Sequence, residues 1–301
     1  MTVVKRRLER SNIVKTVTRW GGIPLLLLPL AVVQGANQTR IDKTFEATAN
    51  PHIALSNFMG HVVVRGWDKP QVHAVYATGS PLATIDIDQL PNNGPAEKIH
   101  FTTHVSSPQA SGEDRTVFYT LEVPLGSSIE IRNPEGRVDI EKLQGDATVD
   151  SLGGIISVAD VSGRLVVSSI GGDINIIRPS GHVEATSICG NIHFISPTST
   201  ALKVHNTSGK ILYEGDFVTG GDYSFTSYSG DIDLFLPSSA SFELNKSTGR
   251  GKFISEISAV SRPRSTSTPA GSHTFLGSNI SSTAAVKLNS FTGNIHIHRQ
   301  H

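Results

Sequence analysis

The sequence predicts an all-β protein, a β-solenoid resembling a single-stranded β-helix, with an antiparallel β cap near its N-terminus. Three observations support that expectation. The segments beginning at Asp146, Arg164 and His182 overlay without a gap, so that Gly154, Gly172 and Gly190 recur at a step of 18 residues and Gly145, Gly163 and Gly181 keep the same step nine residues earlier. Within each unit apolar and polar positions alternate, as in Val183, Ala185, Ser187, Gly190, Ile192 and Phe194. Alternation of period two, rich in Val and Ile and broken by Gly and Ser, marks short half-buried strands joined by tight turns rather than helices. Composition agrees: 28 glycines and only 6% aromatics in 301 residues suit strand and turn, and 17% charged with 38% apolar residues lies in the globular range.

One unit of two short strands buries too little apolar surface to offset the entropy of ordering it. Copies stacked at the interstrand spacing of about 4.8 Å share a core and escape that limit. The register then predicts two inward ladders, one of Ala147, Leu165 and Val183 and another of Val158, Ile176 and Phe194.

Residues 1–36 read as an export signal peptide. Lys5, Arg6, Arg7, Arg10, Lys15 and Arg19 stand against Glu9, an apolar run from Ile23 to Val33 follows, and Gln34, Gly35 and Ala36 supply small residues for cleavage. The run contains Pro24 and Pro29 and is too short to span a bilayer, which takes about 20 residues, so no transmembrane span is expected once the signal is removed. This segment holds a charge of +5 in a chain of net zero, which leaves a mildly acidic body. Nucleic acid needs a basic footprint and is not expected as a partner.

Residues 37–126 read as a first repeat followed by a strand-rich antiparallel cap. Ile53, Leu55, Asn57, Gly60, Val62 and Val64 already fit the template, a turn cluster spans 65–70, and a strand follows at 71–77. Three longer strands are then expected at 83–88, 98–105 and 116–123, separated by loops dense in Pro, Asn, Ser and Gly. Such a sheet covers the terminal edge that a stack of strands leaves open. Residues 127–301 read as the solenoid proper. The template resumes at 129–140, runs through the three matched copies, and loosens to steps of 19 and 21 at Gly209 and Gly230. A worn copy at Phe242, Leu244 and Gly249, a basic Ser/Pro-rich loop at 261–272, and a last copy at Val286, Leu288, Ser290, Gly293, Ile295 and Ile297 complete the chain.

The phrase Leu55-Ser-Asn57-x-x-Gly60 through Gly66-Trp67-Asp68, the segment Glu122-Val123-Pro124-Leu-Gly126, and the serial S-x-x-G-D/N-I steps at 169–174, 187–192 and 227–232 occur in that order. Together they resemble the bacterial DUF4097 family of candidate adhesins of unknown function, over residues 41–298. The resemblance implies a β-helix-like repeat architecture and a place in the cell envelope, and it carries over no catalytic or binding residue.

Several residue sets invite a chemical reading. Asn57, Asn133, Ser151, Ser169, Ser187, Asn206, Ser227 and Ser290 stand three before each Gly and are expected to satisfy turn amides. Gly171-Gly172-Asp173 and Gly230-Asp231 are similar to a calcium-binding nonapeptide, but Ile155, Asn191 and Lys210 interrupt the carboxylate cage that six to eight oxygens require. Asp146 and Asp150 share a strand face about 13 Å apart, too far for the carboxylate pair of a glycosidase. His296 and His298 point to one side of the last strand, with only His301 near as a further metal ligand. Cys189, the sole cysteine, takes the place of Gly153 and Gly171 in a turn and has no fixed base beside it. No catalytic, cofactor-binding or metal residue is therefore expected. The function expected is that of a non-enzymatic envelope protein, exported to the periplasm or cell surface, binding a surface glycan or an envelope protein. The alternatives are a polysaccharide-acting enzyme with the solenoid groove as its cleft, or a sensory or scaffolding role in envelope stress.

Overall fold

Strands of four to seven residues alternate with Gly- and Ser-bearing corners, so each repeat contributes one strand to each of two parallel sheets. The computed structural model describes residues 39–260, 273–276 and 284–300; residues 1–36, expected as an export signal, the Ser/Pro-rich loop at 261–272 and His301 lie outside the described residues. In one sheet Ala147–Ser151, Leu165–Ser169 and His182–Ser187 lie side by side, and in the other Ile155–Val161, Ile174–Ile177 and Ile192–Ile195 do so. Leu165 stands opposite Ala147 and Val183, and Ile176 opposite Val158 and Phe194. All six are buried, so the two inward ladders have the membership that the repeat predicts.

The spacing of the glycines has a steric cause. Adjacent windings approach so closely at the corners that a Cβ on Gly172 would lie 1.8 Å from the Gly154 carbonyl oxygen, and one on Gly190 would lie 2.0 Å from that of Gly172. The second series is as tight, with 1.9 Å between a Cβ on Gly181 and the Gly163 oxygen. Gly172→Ala is therefore expected to destabilise by about 3 kcal/mol, since the backbone of two windings must part to admit a methyl group. Gly153→Ala, where nothing lies within 4 Å, should be near neutral. Urea midpoints of the two variants provide the check, and equal midpoints would remove the steric account.

Where the repeat lengthens past Gly190, aromatic rings fill the wider core. Tyr213 lies 5.0 Å from Phe217 and 5.6 Å from Phe225, ring centre to ring centre, and Phe217 lies 5.1 Å from Phe242. The buried hydroxyls find backbone acceptors: Tyr213 donates to Asp216 and Tyr223 to Ser199. The buried phenols of this end of the solenoid are thus satisfied.

Stacking in chain order, which the repeat suggests, gives way at both ends. The opening copy packs directly on the 128–140 winding, with Ile53 opposite Ile129 and Val62 opposite Val138. The later strands Ala96–Val105 and Val117–Pro124 lie outside it and run parallel to it, with Phe101 opposite Leu55 and Leu121 opposite Val64. Antiparallel pairing appears beyond them, between Ala83–Leu90 and Ala96–Val105, between Gln71–Thr78 and Val117–Pro124, and between Gln71–Thr78 and the first half of Thr39–Ser56. At the other end Ala284–Ser290 and Ile295–Gln300 insert between the 222–237 winding and the strands Phe242–Thr248 and Phe253–Ser255, which precede them in sequence. A terminal strand paired on one side frays; paired on both, it is locked.

A histidine fastens the N-terminal strand to the cap. His73 Nδ1 lies 3.0 Å from Glu122 and Nε2 lies 2.8 Å from Asp42. The bond to Glu122, then that to Asp42, raises the His73 pKa above its ordinary 6.5, with burial opposing. The folded protein therefore holds this proton more tightly than the unfolded chain. Its stabilisation is complete below pH 6.5 and is lost as pH rises through the raised folded value. His73→Gln should accordingly lower stability at about pH 5.5 and change it little at about pH 9. Guanidinium denaturation at the two pH values tests the sign, and a larger loss at the alkaline value would contradict it.

Candidate interaction surface

The polar row three before each glycine faces inward and is consumed by the corners. The amides of Gly154, Gly172 and Gly190 donate to Ser151, Ser169 and Ser187 Oγ at 3.0, 2.9 and 3.0 Å. Asn206 accepts from the Gly209 amide and donates to the Gly190 carbonyl of the winding below, and Asn57 Nδ2 donates to Asn133 Oδ1 at 3.0 Å. Ser290 donates to the Gly293 carbonyl. Only Ser227 Oγ in this row lacks a bond among the described residues.

The acidic positions that are similar to a calcium motif act in the same way. Asp173 accepts from the Asn191 amide at 2.8 Å, Asn191 Oδ1 from the Lys210 amide at 2.9 Å, and Asp231 from the Asn294 amide at 2.7 Å. Each side chain thus caps the amide of the next winding. Asp146 does so for Arg164 at 2.8 Å, while Asp150 aligns with Arg132 and Ser168 rather than with another acid. His296 and His298 are placed beside Asp233, a neighbour that no local spacing discloses.

One corner does something else. The residue immediately after the polar row points outward, and in successive windings it is Phe58, Pro134, Leu152, Ile170, Ile188, Thr207, Tyr228 and Phe291. Their order in space is fixed by backbone bonds across the corner: Leu152 N to Pro134 O, Ile170 N to Ser151 O, Ile188 N to Ser169 O, Tyr228 N to Asn206 O and Phe291 N to Ser227 O. Phe58, Leu152, Ile170, Ile188, Tyr228 and Phe291 are between 45 and 59% exposed. The rings of Tyr228 and Phe291 stack at 5.1 Å and 18°. The result is a ridge about 34 Å long, apolar in every winding except at Thr207, at a pitch of about 4.8 Å per winding. Cys189 sits on this corner, exposed, one residue after Ile188. The signal was present in the sequence as the unassigned x of S-x-x-G, filled by Leu, Ile, Ile, Tyr and Phe; periodicity marks it, but only the fold shows that it points to water.

A second feature lies near the cap, where His52, Ala54, Ile87, Asp88, Leu90, Asn92, Lys98 and His100 are among the residues lining a groove of about 670 Å³. Asp88 is the only carboxylate among its lining residues. Hydrolysis of a glycosidic bond takes two, about 5 to 9.5 Å apart.

The model of the family described as Toastrack DUF4097 matches residues 107–298, well over half of the chain. The chain belongs to that family. The match begins between the cap strands, so the opening copy of this Toastrack protein stands ahead of the matched region although it packs within the same stack. No characterised protein matches the Toastrack chain in sequence. Among solved structures, a candidate adhesin from Bacteroides fragilis is 11% identical, with 87% of this chain and 97% of that one covered and a TM-score of 0.43. A candidate cell adhesion protein from Clostridium sporogenes is 10% identical, with 87% and 100% covered and a TM-score of 0.30. Likeness at this level says nothing about what this Toastrack protein binds.

Proposed function

We propose that this chain is a non-enzymatic envelope protein, exported by its N-terminal signal, that binds another envelope protein along its apolar corner. The carrying observation is the ridge from Phe58 to Phe291. Single apolar side chains on a surface need no explanation, but exposed apolar side chains recurring in register over successive windings are the mark of an interaction site. Aliphatic side chains such as Leu152, Ile170 and Ile188 offer no hydrogen bonds, which favours a protein partner over a glycan. The solenoid supports such a contact because its stacked windings hold the row rigid, so little entropy is lost on binding. The export reading rests on the basic start, the short apolar run and the small residues at 34–36, and N-terminal sequencing of the secreted chain tests it.

The unique thiol makes the binding test specific. A photocrosslinker placed on Cys189 of the full chain should capture one defined envelope protein, and the triple variant Leu152→Ser, Ile170→Ser, Ile188→Ser should lose it while unfolding at an unchanged temperature. A glycan array is run in parallel. Capture that survives the triple substitution, absence of any crosslink, or binding to a glycan that the variant retains would each overturn the assignment.

A further inference from the structure

The C-terminal end of the second sheet holds a cluster that the proposed binding surface does not use. Asp233 is the only charged residue buried among the described residues, at 5% exposure. It stands on Ile232–Pro237 directly opposite His296 of Ile295–Gln300, and Oδ1 lies 2.8 Å from His296 Nδ1. His298, two residues along the same strand, projects from the same face, and the two imidazole centres are 5.9 Å apart. Phe235 stacks on the His298 ring at 4.5 Å and 17°. One donor atom from each of Asp233, His296 and His298 lies within 4.8 Å of the other two.

We propose that Asp233, His296 and His298 bind a divalent transition metal ion of the zinc class, which ties the C-terminal strand to its neighbours. Two imidazoles and a carboxylate are the donor set of zinc, nickel or copper rather than of calcium or magnesium, which take oxygen. Bonds of about 2.0 to 2.2 Å to tetrahedral zinc set ligand atoms about 3.3 to 3.6 Å apart, so the site closes by about 1 Å, within reach of a rotation of the partly exposed His298. Glu256 comes from the strand pair on the other side. Its Oε2 accepts from the Arg299 amide and its Oε1 lies 3.6 Å from His298 Nδ1, so it pairs with that imidazole, and the remaining position of a tetrahedral ion falls to water. Asp233 and the two histidines belong to adjacent strands of one sheet, and Glu256 follows directly on Phe253–Ser255, the strand on the other side of the inserted C-terminal strand. The ion would thus hold in place the very strand whose insertion departs from chain order.

Lys210 supplies a sharp test of sign. Its ammonium contacts Asp233 Oδ2, and its side chain is half exposed. In the metal-free protein it neutralises the buried carboxylate; with zinc bound it is a like charge a few ångströms away. A comparable histidine–carboxylate pair at the other end, His61 with Asp139, has Arg137 beside it and, among the described residues, belongs to no three-ligand group, so it serves as an internal control.

The experiment is calorimetric titration of zinc chloride into the full chain, prepared without a histidine tag and stripped with chelator. One ion per chain is expected, and thermal unfolding should shift up by roughly 5 to 10 °C at a hundredfold excess over the dissociation constant. Asp233→Asn and His296→Ala should abolish binding, and His298→Ala, at a partly exposed position, should do the same while keeping a cooperative unfolding transition. Lys210→Ala should tighten binding by roughly tenfold, and His61→Ala should leave it unchanged. Absence of a one-to-one site, zinc binding that persists in His298→Ala, or weaker binding in Lys210→Ala overturns the proposal.

Discussion

A chain cut after residue 283 is expected to aggregate and to lose its cooperative unfolding transition. Deletion of 284–300 removes Val286, Leu288, Ile295 and Ile297 from the core, each 2% exposed or less. At about 1.5 to 3 kcal/mol for each buried aliphatic side chain, the loss is about 6 to 12 kcal/mol, as large as the whole stability of an ordinary domain. The damage does not stop at one winding. Phe242–Thr248 loses its parallel neighbour and Phe253–Ser255 loses the strand that carries Ile295, while Asp222–Ser227 and Ile232–Pro237 are left as bare edges that template pairing with other chains. Had the copies stacked in chain order, the same deletion would trim one terminal unit and spare the rest, because solenoid stability is nearly a sum over units. Light scattering and urea unfolding of the truncated chain separate the two cases. A monomeric product that unfolds within a few degrees of the parent would contradict the inserted arrangement.

Ile174→Asp is expected to unfold the solenoid under conditions where Asn175→Asp is almost silent. Ile174 is fully buried between Ile156 and Ile192, whereas Asn175 faces outward between Ser157 and His193. The first substitution forfeits about 1.5 to 3 kcal/mol of apolar burial and adds an unpaired charge inside the core, for a total of about 5 kcal/mol or more. The second places a carboxylate one strand from an imidazole and should move stability by no more than about 0.5 kcal/mol. Circular dichroism melts of both variants give the comparison. Equal losses would mean that the facing of the strand is reversed.

These outcomes also divide what could be read from the residues from what could not. The inward ladders through Leu165 and Ile176 were legible because period-two alternation within a unit and an 18-residue step between units leave one register that buries the alternating aliphatic positions of both strands. The bonding of Ser151, Ser169 and Ser187 to turn amides was legible for a related reason: a short hydroxyl three residues before a corner glycine has few other partners. The ridge was half legible. Leu152, Ile170 and Ile188 recur visibly, yet periodicity does not distinguish a corner residue turned outward from one turned in. Asp233 beside His296 was not legible at all, since 63 residues separate them and a worn copy intervenes.

The sequence by itself determined the unit: its length, its two strands, the residues that face the core, and the corners where only glycine lets one backbone lie against the next. Local sterics and alternation act within a few residues of each position, and a repeated sequence repeats them. The order of windings at the two ends was decided only in the tertiary structure, where the opening copy and the last copy both slip one layer inward. All the windings offer nearly the same pattern of amides, carbonyls and aliphatics, so the local code accepts several neighbours equally. The choice among them falls to whole-edge complementarity: which strands can close the core, cover an exposed ladder and leave both chain ends paired on two sides.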